Sequence, residues 1–594
     1  MCSGVVEAEY RKRLAARSAG FVGSDRAHER FGNWRLLLIA AALGFAYLRI
    51  WWAMGAAAIA FGWVGVQLGA LGSAREHFRR AVDFYTLALD RLAGKWIGTG
   101  IAGDRHLPEE HLYARDLDLF GRGSLFELLC RARTLVGEET LAAWLLAAAP
   151  FDVVRSRQEA VTEMAGKLDL REDLAIIAAT DGAQVRAAAL AEWGEAPGVL
   201  HPGAARPLLY LLSAMGLVAG LAAAGDLIGI GLQGLRIYYL PVLLVSGVVW
   251  SHYRLRAEQV MAGAEAAVHE VALLAQVLGR LEVEPFASSP LIALQENLQV
   301  AGLPPSRRIA QLRRLMDLVD SRDHVVLRAL GPFVLYDAHL AFALERWRAQ
   351  SGAALRRWVA AVGEFEALSS LGGYRYENPD DIFPDLVADG PVFAAEEISH
   401  PLMSRGQAVA NDLTLGTSSR LLLVSGSNMS GKSTLMRTVG INAVLAQAGA
   451  PVRARRLQMS CLAVGASIQT HDSLQANTSR FYAEILRLRD IVDRASVPVL
   501  FLIDEILSGT NSHDRKIGAE AILRGLLERG AIGLASTHDL ALTGIADELR
   551  GRAKNVHFED QLVGGVMNFD YKMRDGVVTH SNAVALMRAV GLEV

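Results

Sequence analysis

Cysteine is scarce. Cys2, Cys130 and Cys461 are the only three in 594 residues, and they lie far apart. That excludes a disulfide framework and closely spaced thiolate metal ligands, and it suits a reducing compartment. Excess charge of one sign is also lacking: 60 Lys and Arg against 63 Asp and Glu leave a net −3. No global positive charge advertises nucleic-acid binding. Charged residues make up 21% and hydrophobic residues 52%, with mean hydropathy +0.24. Such a chain is not disordered, and the positive hydropathy directs attention to membrane segments. No repeat of fixed period and no low-complexity linker is present. The opening MCSGVVEAEYRKRLAARSAGF has basic residues without an immediate apolar core, so it does not read as a cleaved signal peptide. At about 150 residues per domain, the length predicts roughly four structural units.

Two long apolar stretches stand out. In residues 36–72 only Arg49 and Gln67 are strongly polar. A membrane span takes about 20 residues, so this stretch predicts two short spans with a tight turn at Arg49, beside Trp51 and Trp52. Residues 208–250 form the second stretch, with Asp226 and Arg236 bracketing its tip. Arg26, Arg30 and Arg35 precede the first stretch, and Arg75, Arg79 and Arg80 follow it. Arg206 precedes the second, and Arg254 and Arg256 follow it. By the positive-inside rule all these flanks are cytoplasmic. The pairs Gly65/Gly69 and Gly216/Gly220 have the spacing that lets spans pack closely.

The remaining chain divides by texture. Residues 74–206 and 252–377 have mostly helical spacing, with arginine clusters at 307–314 and 346–357. From about residue 378, short β-type runs (LLLVSG, VLFLID, AIGLAST) alternate with helices, the pattern of a parallel sheet covered by helices. The expected organisation is therefore a tail (1–34), a transmembrane hairpin (35–73), a helical segment (74–206), a second transmembrane hairpin (207–251), a helical segment (252–377) and an α/β domain (378–594).

The α/β domain carries the chemistry. Gly426-Ser427-Asn428-Met429-Ser430-Gly431-Lys432-Ser433-Thr434 follows one apolar run and opens a helix expected to reach about Ala446. This is G-x-x-x-x-G-K-[ST] in its strand–loop–helix setting. Its glycines let backbone N–H groups turn toward phosphates, and the helix N-terminus adds its positive end. Lys432 is placed to reach the β- and γ-phosphates, and Ser433 to ligand Mg²⁺. Some 70 residues on, the run 499–503 ends in Asp504 and Glu505. The first suits the metal and the second suits activation of water. A third run ends in Thr537-His538-Asp539, where His538 has access to the γ-phosphate or the attacking water. ATP and Mg²⁺ are the implied ligands.

These residues resemble those of the MutS-type DNA mismatch-repair ATPases, a branch of the ABC-type P-loop class. GSNMSGKST is similar to that family's phosphate loop, with Ser427 where a proline is usual. LFLIDEILSGTNSHD and STHDLAL resemble its acidic strand and histidine switch, and HPL and NDLTL resemble its lead-in. HDSLQANTSRFYAEI resembles its signature segment, with Ser479, Phe481 and Glu484 matching and Arg480 and Tyr482 departing. Residues 117–145 and 157–161 are similar to the start of its helical core and lever. The resemblance covers roughly 110–206 and 252–594, with the second apolar stretch interrupting the lever. It implies a homodimer that sandwiches nucleotide, with Ser479 contacting the partner's γ-phosphate and residues 571–594 dimerising. It also implies lever motion and contact with duplex or branched DNA. The family's mismatch reader carries Phe-x-Glu, and no such triplet occurs before residue 115. The expectation is a multi-pass protein of the cell membrane with a cytoplasmic ATPase domain and no mismatch-reading wedge. The alternative is a nucleotide-switched scaffold in the lipid bilayer that acts on an unknown protein partner without DNA.

Overall fold

The computed structural model describes residues 3–177, 187–200, 205–227, 236–299, 302–322, 327–328, 331, 334–427, 430–468, 480–493, 498–549, 551–563 and 566–578. They fall into two compact units. The first comprises Met1–Arg131, Glu139–Ile176 and Ala367–Val594, and the second Ala132–Glu138 and Ile177–Glu366.

The first unit begins with two long helices, α1 (Ser3–Tyr47) and α2 (Trp51–Leu92). They reverse at Leu48–Ile50, where Arg49 takes a left-handed φ of 57°. The turn therefore falls where Arg49 predicted it. The helices run antiparallel: Asp25 meets Arg75 at 2.6 Å, Arg35 lies over the Phe61 ring, and Tyr10 packs on Tyr85. Gly20 permits the approach, because a Cβ there would sit 2.6 Å from the Phe78 ring. Gly65 and Gly69 do not serve the packing expected of them: among the described residues, nothing lies within 4 Å of a Cβ added to either. Both helices run unbroken through residues 34 and 73, so those divisions are changes of composition within continuous helices. Toward the turn the side chains are apolar yet exposed, with Leu43 68% and Trp52 80% exposed. Among the described residues, only Trp51–Leu92 has the length and hydropathy to cross a membrane, with 11% of its apolar window buried.

Short helices α3 (Leu125–Leu129), α4 (Leu135–Leu146), α5 (Phe151–Gly166) and α6 (Leu168–Ile177) follow. The second unit is helical throughout most of its described residues, as its spacing predicts. It holds α7 (Ala187–Glu195), α8 (Ala205–Leu227), α9 (Arg236–Glu282), α10 (Ser289–Glu296), α11 (Pro305–Ser321) and most of α12 (Tyr336–Glu377). Val277, Leu278 and Leu281 of α9 are fully buried, as is Trp358 of α12. The Trp358 indole N–H donates to the Leu298 carbonyl at 2.7 Å. In α8 and α9, Leu211, Leu221, Leu244 and Val248 are exposed, and residues 228–235, the expected tip, lie outside the described residues.

Two sheets follow in the first unit. The strands are β1 (Asp385–Val387), β2 (Phe393–Ile398), β3 (Asn411–Leu415), β4 (Leu421–Ser425), β5 (Arg456–Ser460), β6 (Ala463–Ser467), β7 (Val499–Ile503), β8 (Ile532–Thr537), β9 (Ala553–Val563) and β10 (Val566–Asp575). The smaller sheet has the order β1-β5-β2-β3 and the larger β10-β9-β4-β8-β7-β6. In the larger sheet β6, β7, β8, β4 and β9 are parallel, and β10 returns antiparallel to β9. Strands β4, β7 and β8 are buried along their whole length, which is why they read as unbroken apolar runs. The helices between them are α13 (Lys432–Ala448), α14 (Arg480–Asp493), α15 (Ser512–Glu528) and α16 (Ile545–Glu548). Helix α13 is buried along nearly its whole length and stops at Gly449, whose φ of 86° suits a residue without a side chain. This is the parallel α/β arrangement expected from residue 378 onward. Its β4, β7 and β8 end at one edge, where such sheets bind ligands.

Candidate functional site

The loop after β4 delivers the phosphate-loop residues to that edge. Gly426 and Gly431 hold φ of 149° and 108°. A Cβ at Gly426 would stand 2.9 Å from Ser430 Oγ, and one at Gly431 would stand 3.1 Å from the Tyr571 ring. Only glycine fits both the conformation and the space. Lys432 begins α13 and is buried. Its ammonium donates to the Gly426 carbonyl at 2.9 Å and the Ser427 carbonyl at 2.7 Å, so it lies folded inside the loop. Burial lowers its pKa, with Asp504 and Glu505 acting in the opposite direction. The Ser427 and Ser430 hydroxyls are buried without a hydrogen-bond partner among the described residues. Unpartnered polar groups in a Gly-rich loop are what an anionic ligand would satisfy.

The acidic strand closes the site. The Ser433 hydroxyl donates to one Asp504 carboxylate oxygen, and the Ser536 hydroxyl donates to the other. The Glu505 N–H donates to Ser536 Oγ at 2.9 Å. Ser536, at the end of β8, thus ties both acids to the neighbouring strand. Glu505 itself has φ of 49°, an unfavourable region for a side-chain-bearing residue and one often found at functional positions. The following turn is held by Glu484, which accepts the Leu507 N–H at 2.6 Å, and by Arg515, which donates to the carbonyls of Leu507, Ser508 and Thr510.

A cavity of about 750 Å³ opens beside the loop. Gly431, Lys432, Ser433, Thr434, Asp504 and Glu505 line one side of it, while His400, Met403, Asn411, Phe558 and Tyr571 are among those lining the rest. Burial, with Arg437 and Arg453 nearby, brings the His400 pKa down to about 4, so it is neutral at physiological pH. Tyr571 is fixed by Asn411, whose amide donates to the Tyr571 carbonyl at 3.1 Å and accepts the Met573 N–H at 2.7 Å.

The structure therefore brings Gly426, Ser427, Ser430, Gly431, Lys432, Ser433, Thr434, Asp504 and Glu505 together. His538 follows β8 as expected, but it is exposed and is not among the residues lining this cavity. Asn428, Met429 and Ser479 lie outside the described residues. Ser536, Tyr571 and His400 escaped the sequence reading as site residues. Ser536 directly precedes the Thr537-His538 pair and His400 opens the HPL segment, and those positions were the available signals.

Gly-rich loop, buried lysine, serine–aspartate pair and parallel sheet define a P-loop ATPase-type α/β domain. Residues 422–593 match the family described as MutS domain V. The chain is 35% identical over 201 residues to the endonuclease MutS2 of Thermus thermophilus, a match covering 32% of this chain and 25% of that protein. It is 32% identical over 225 residues to the DNA mismatch repair protein MutS of Brevibacillus brevis, covering 37% of this chain and 25% of that one. A further match, 30% over 246 residues, is to the DNA mismatch repair protein MutS of Methanococcoides burtonii, covering 40% of this chain and 27% of that one. The chain thus spans about a quarter of the length of the curated relatives it matches. Residues 422–593 are thus similar to MutS domain V.

Proposed function

We propose that the protein is a membrane-anchored, dimeric ATPase that hydrolyses ATP with Mg²⁺ and couples the reaction to movement of its helical segments. The observation carrying the reading is the Lys432 ammonium buried inside the glycine loop, beside the Ser433–Asp504 pair. Lys432 would exchange the two carbonyls for phosphate oxygens, a charge-assisted contact. The oxygen donors Ser433 and Asp504 suit Mg²⁺, which would neutralise charge on the β- and γ-phosphates. Glu505 lines the cavity and would take a proton from the attacking water. Water adds at the γ-phosphorus, the bridging P–O bond breaks, and ADP and phosphate result. Phe558 and Tyr571 offer aromatic surface for the nucleoside end. Glu505→Gln should preserve ATP binding and cut turnover by about a hundredfold or more. Hydrolysis by that variant at the unmutated rate would refute the role of Glu505.

Membrane insertion is supported by the exposed apolar side chains around Arg49 and along α8 and α9. In this reading the protein is multi-pass, both tips face outward and the ATPase domain is cytoplasmic. Labelling of a cysteine placed at position 160 from outside the cell would overturn that topology. DNA contact through the helical segments is part of the reading, as the names of the matched relatives suggest. The scaffold reading, with a protein partner and no DNA, is favoured by acidic residues among the arginines: Arg356 pairs with Glu195 and Arg348 with Glu345, each at 2.7 Å, and Asp317 and Asp320 are exposed on α11. A salt titration of the detergent-solubilised chain against matched, mismatched and branched duplexes separates the two. Weak, salt-sensitive and mismatch-blind binding fits DNA contact through arginine alone. No binding at low salt selects the scaffold.

A further inference from the structure

One wall of the cavity has no regular structure of its own. Residues 399–410 connect β2 to β3, and Met403 to Gln407 are all exposed. So exposed a stretch is fixed by its polar anchors. One anchor is a buried arginine outside every motif of the site. The Arg453 guanidinium donates through one nitrogen to the Met403 carbonyl at 2.7 Å and the His400 carbonyl at 3.3 Å. Its other terminal nitrogen reaches Asn378 Oδ1 at 3.4 Å. The Arg453 backbone is held as well: its N–H donates to Asn442 Oδ1 at 2.8 Å, and its carbonyl accepts the Ser399 N–H at 2.9 Å. Asn442 belongs to α13, the helix opened by Lys432, and its amide also donates to the Ser399 carbonyl at 3.1 Å.

Behind this residue lies Asp381, almost wholly buried. It accepts the Tyr374 hydroxyl at 2.8 Å and Arg405 at 2.6 Å, and the Arg453 Nε is 3.8 Å away. Arg405 is itself part of the wall. Two arginines, one in the wall and one behind it, thus share one buried carboxylate. The backbone carbonyls of His400 and Met403 face the guanidinium, while both residues line the cavity.

We propose that Arg453 is a positioning residue for nucleotide binding: it pins the 399–410 wall from behind and so sets the width of the cavity beyond the phosphate loop. This rests on the reading that the cavity holds a nucleoside triphosphate. The phosphate loop has its own fixed geometry in Gly426, Gly431 and Lys432. Loosening the wall therefore weakens contacts to the nucleoside and leaves contacts to the phosphates in place. Interactions equal in ground and transition states act on KM and leave kcat alone.

The test compares the full-length detergent-solubilised protein with Arg453→Met, which keeps the stem and loses the fork, and with Arg453→Lys. ATP and inorganic tripolyphosphate are titrated against each by direct binding, and turnover is measured at saturating ATP. The expected result for Arg453→Met is a Kd and KM for ATP raised about tenfold, with kcat within about twofold and tripolyphosphate affinity unchanged. Arg453→Lys, which keeps the charge without the fork, should fall between. If Arg453→Met does not fold, the same comparison is made on Arg453→Lys. Unchanged ATP affinity, or equal loss for ATP and tripolyphosphate, overturns the role of Arg453. Failure of the unmutated protein to bind either ligand overturns the nucleotide reading itself, and this inference with it.

Discussion

Ser536 shows how much of the site rests on one hydroxyl. It receives the Glu505 N–H and donates to Asp504, so a single group holds the Asp504 carboxylate and the Glu505 backbone. Ser536→Ala would leave a backbone N–H without its partner and release one side of Asp504. We expect turnover to fall about tenfold or more while ATP affinity changes little, measured as separate kcat and KM values. Glu366 makes a different prediction. It is buried in the second unit and accepts bonds from the Thr134 hydroxyl and from the backbone N–H groups of Thr134 and Arg133. Burial raises its pKa to about 7, these bonds opposing the effect only in part. An acid raised in the folded state contributes stability that is complete below its unfolded pKa and is lost as pH rises through the folded value. The full chain should therefore lose stability between about pH 4.5 and 7.5, on the order of 3 kcal/mol from this group. Glu366→Gln should flatten that part of a Tm-against-pH curve. An unchanged curve would show that Glu366 is not the group responsible.

At the scale of elements, the base of the α1–α2 pair is joined to the end of α12 by buried charge. Glu377 accepts Arg91 at 2.7 and 2.9 Å and Arg131 at 3.1 Å. Burial alone would raise its pKa, but the charges of Arg91 and Arg131 outweigh burial and hold it at about 2. A depressed carboxylate contributes stability that is present above its unfolded pKa, near 4.5, and lost as pH falls toward 2. Removing one partner leaves a buried charge unpaired, at a cost of about 3–5 kcal/mol. Glu377→Ala should thus lower the Tm at pH 7 and expose α1 and α2 to protease, whereas Arg11→Ala, which breaks an exposed Arg11–Glu7 pair, should do neither. Equal protease resistance of the two variants would show that the network does not hold the helix pair.

At the scale of the whole molecule, the proposal of a shared nucleotide site between two copies carries its own prediction. Hydrolysis per chain should rise with protein concentration in detergent. Ser479→Ala should lower turnover more than ATP affinity, because its contact would form only across the closed interface. Constant specific activity over a wide dilution series, with a monomer throughout, would refute it. Membrane anchoring predicts that the intact chain stays with the membrane through a carbonate wash. Its release would leave the exposed side chains of Leu43, Trp52 and Tyr47 to be explained as a protein-docking surface.

The sequence by itself determined whatever is encoded by neighbours along the chain. The phosphate loop is nine consecutive residues, the α/β alternation is a run of local periods, and the reversal at Arg49 is one polar residue between apolar runs. Local backbone preference and side-chain period decide all three. Tertiary structure alone decided the rest, because those contacts join residues with no local relation. Asp504 meets Ser433 across 71 positions, Asn411 fixes Tyr571 across 160, and Arg453 reaches Met403 across 50. The continuous helices through residues 34 and 73 were hidden for a related reason. A change from charged to apolar side chains marks a change of surroundings, and a helical backbone passes through it without a break.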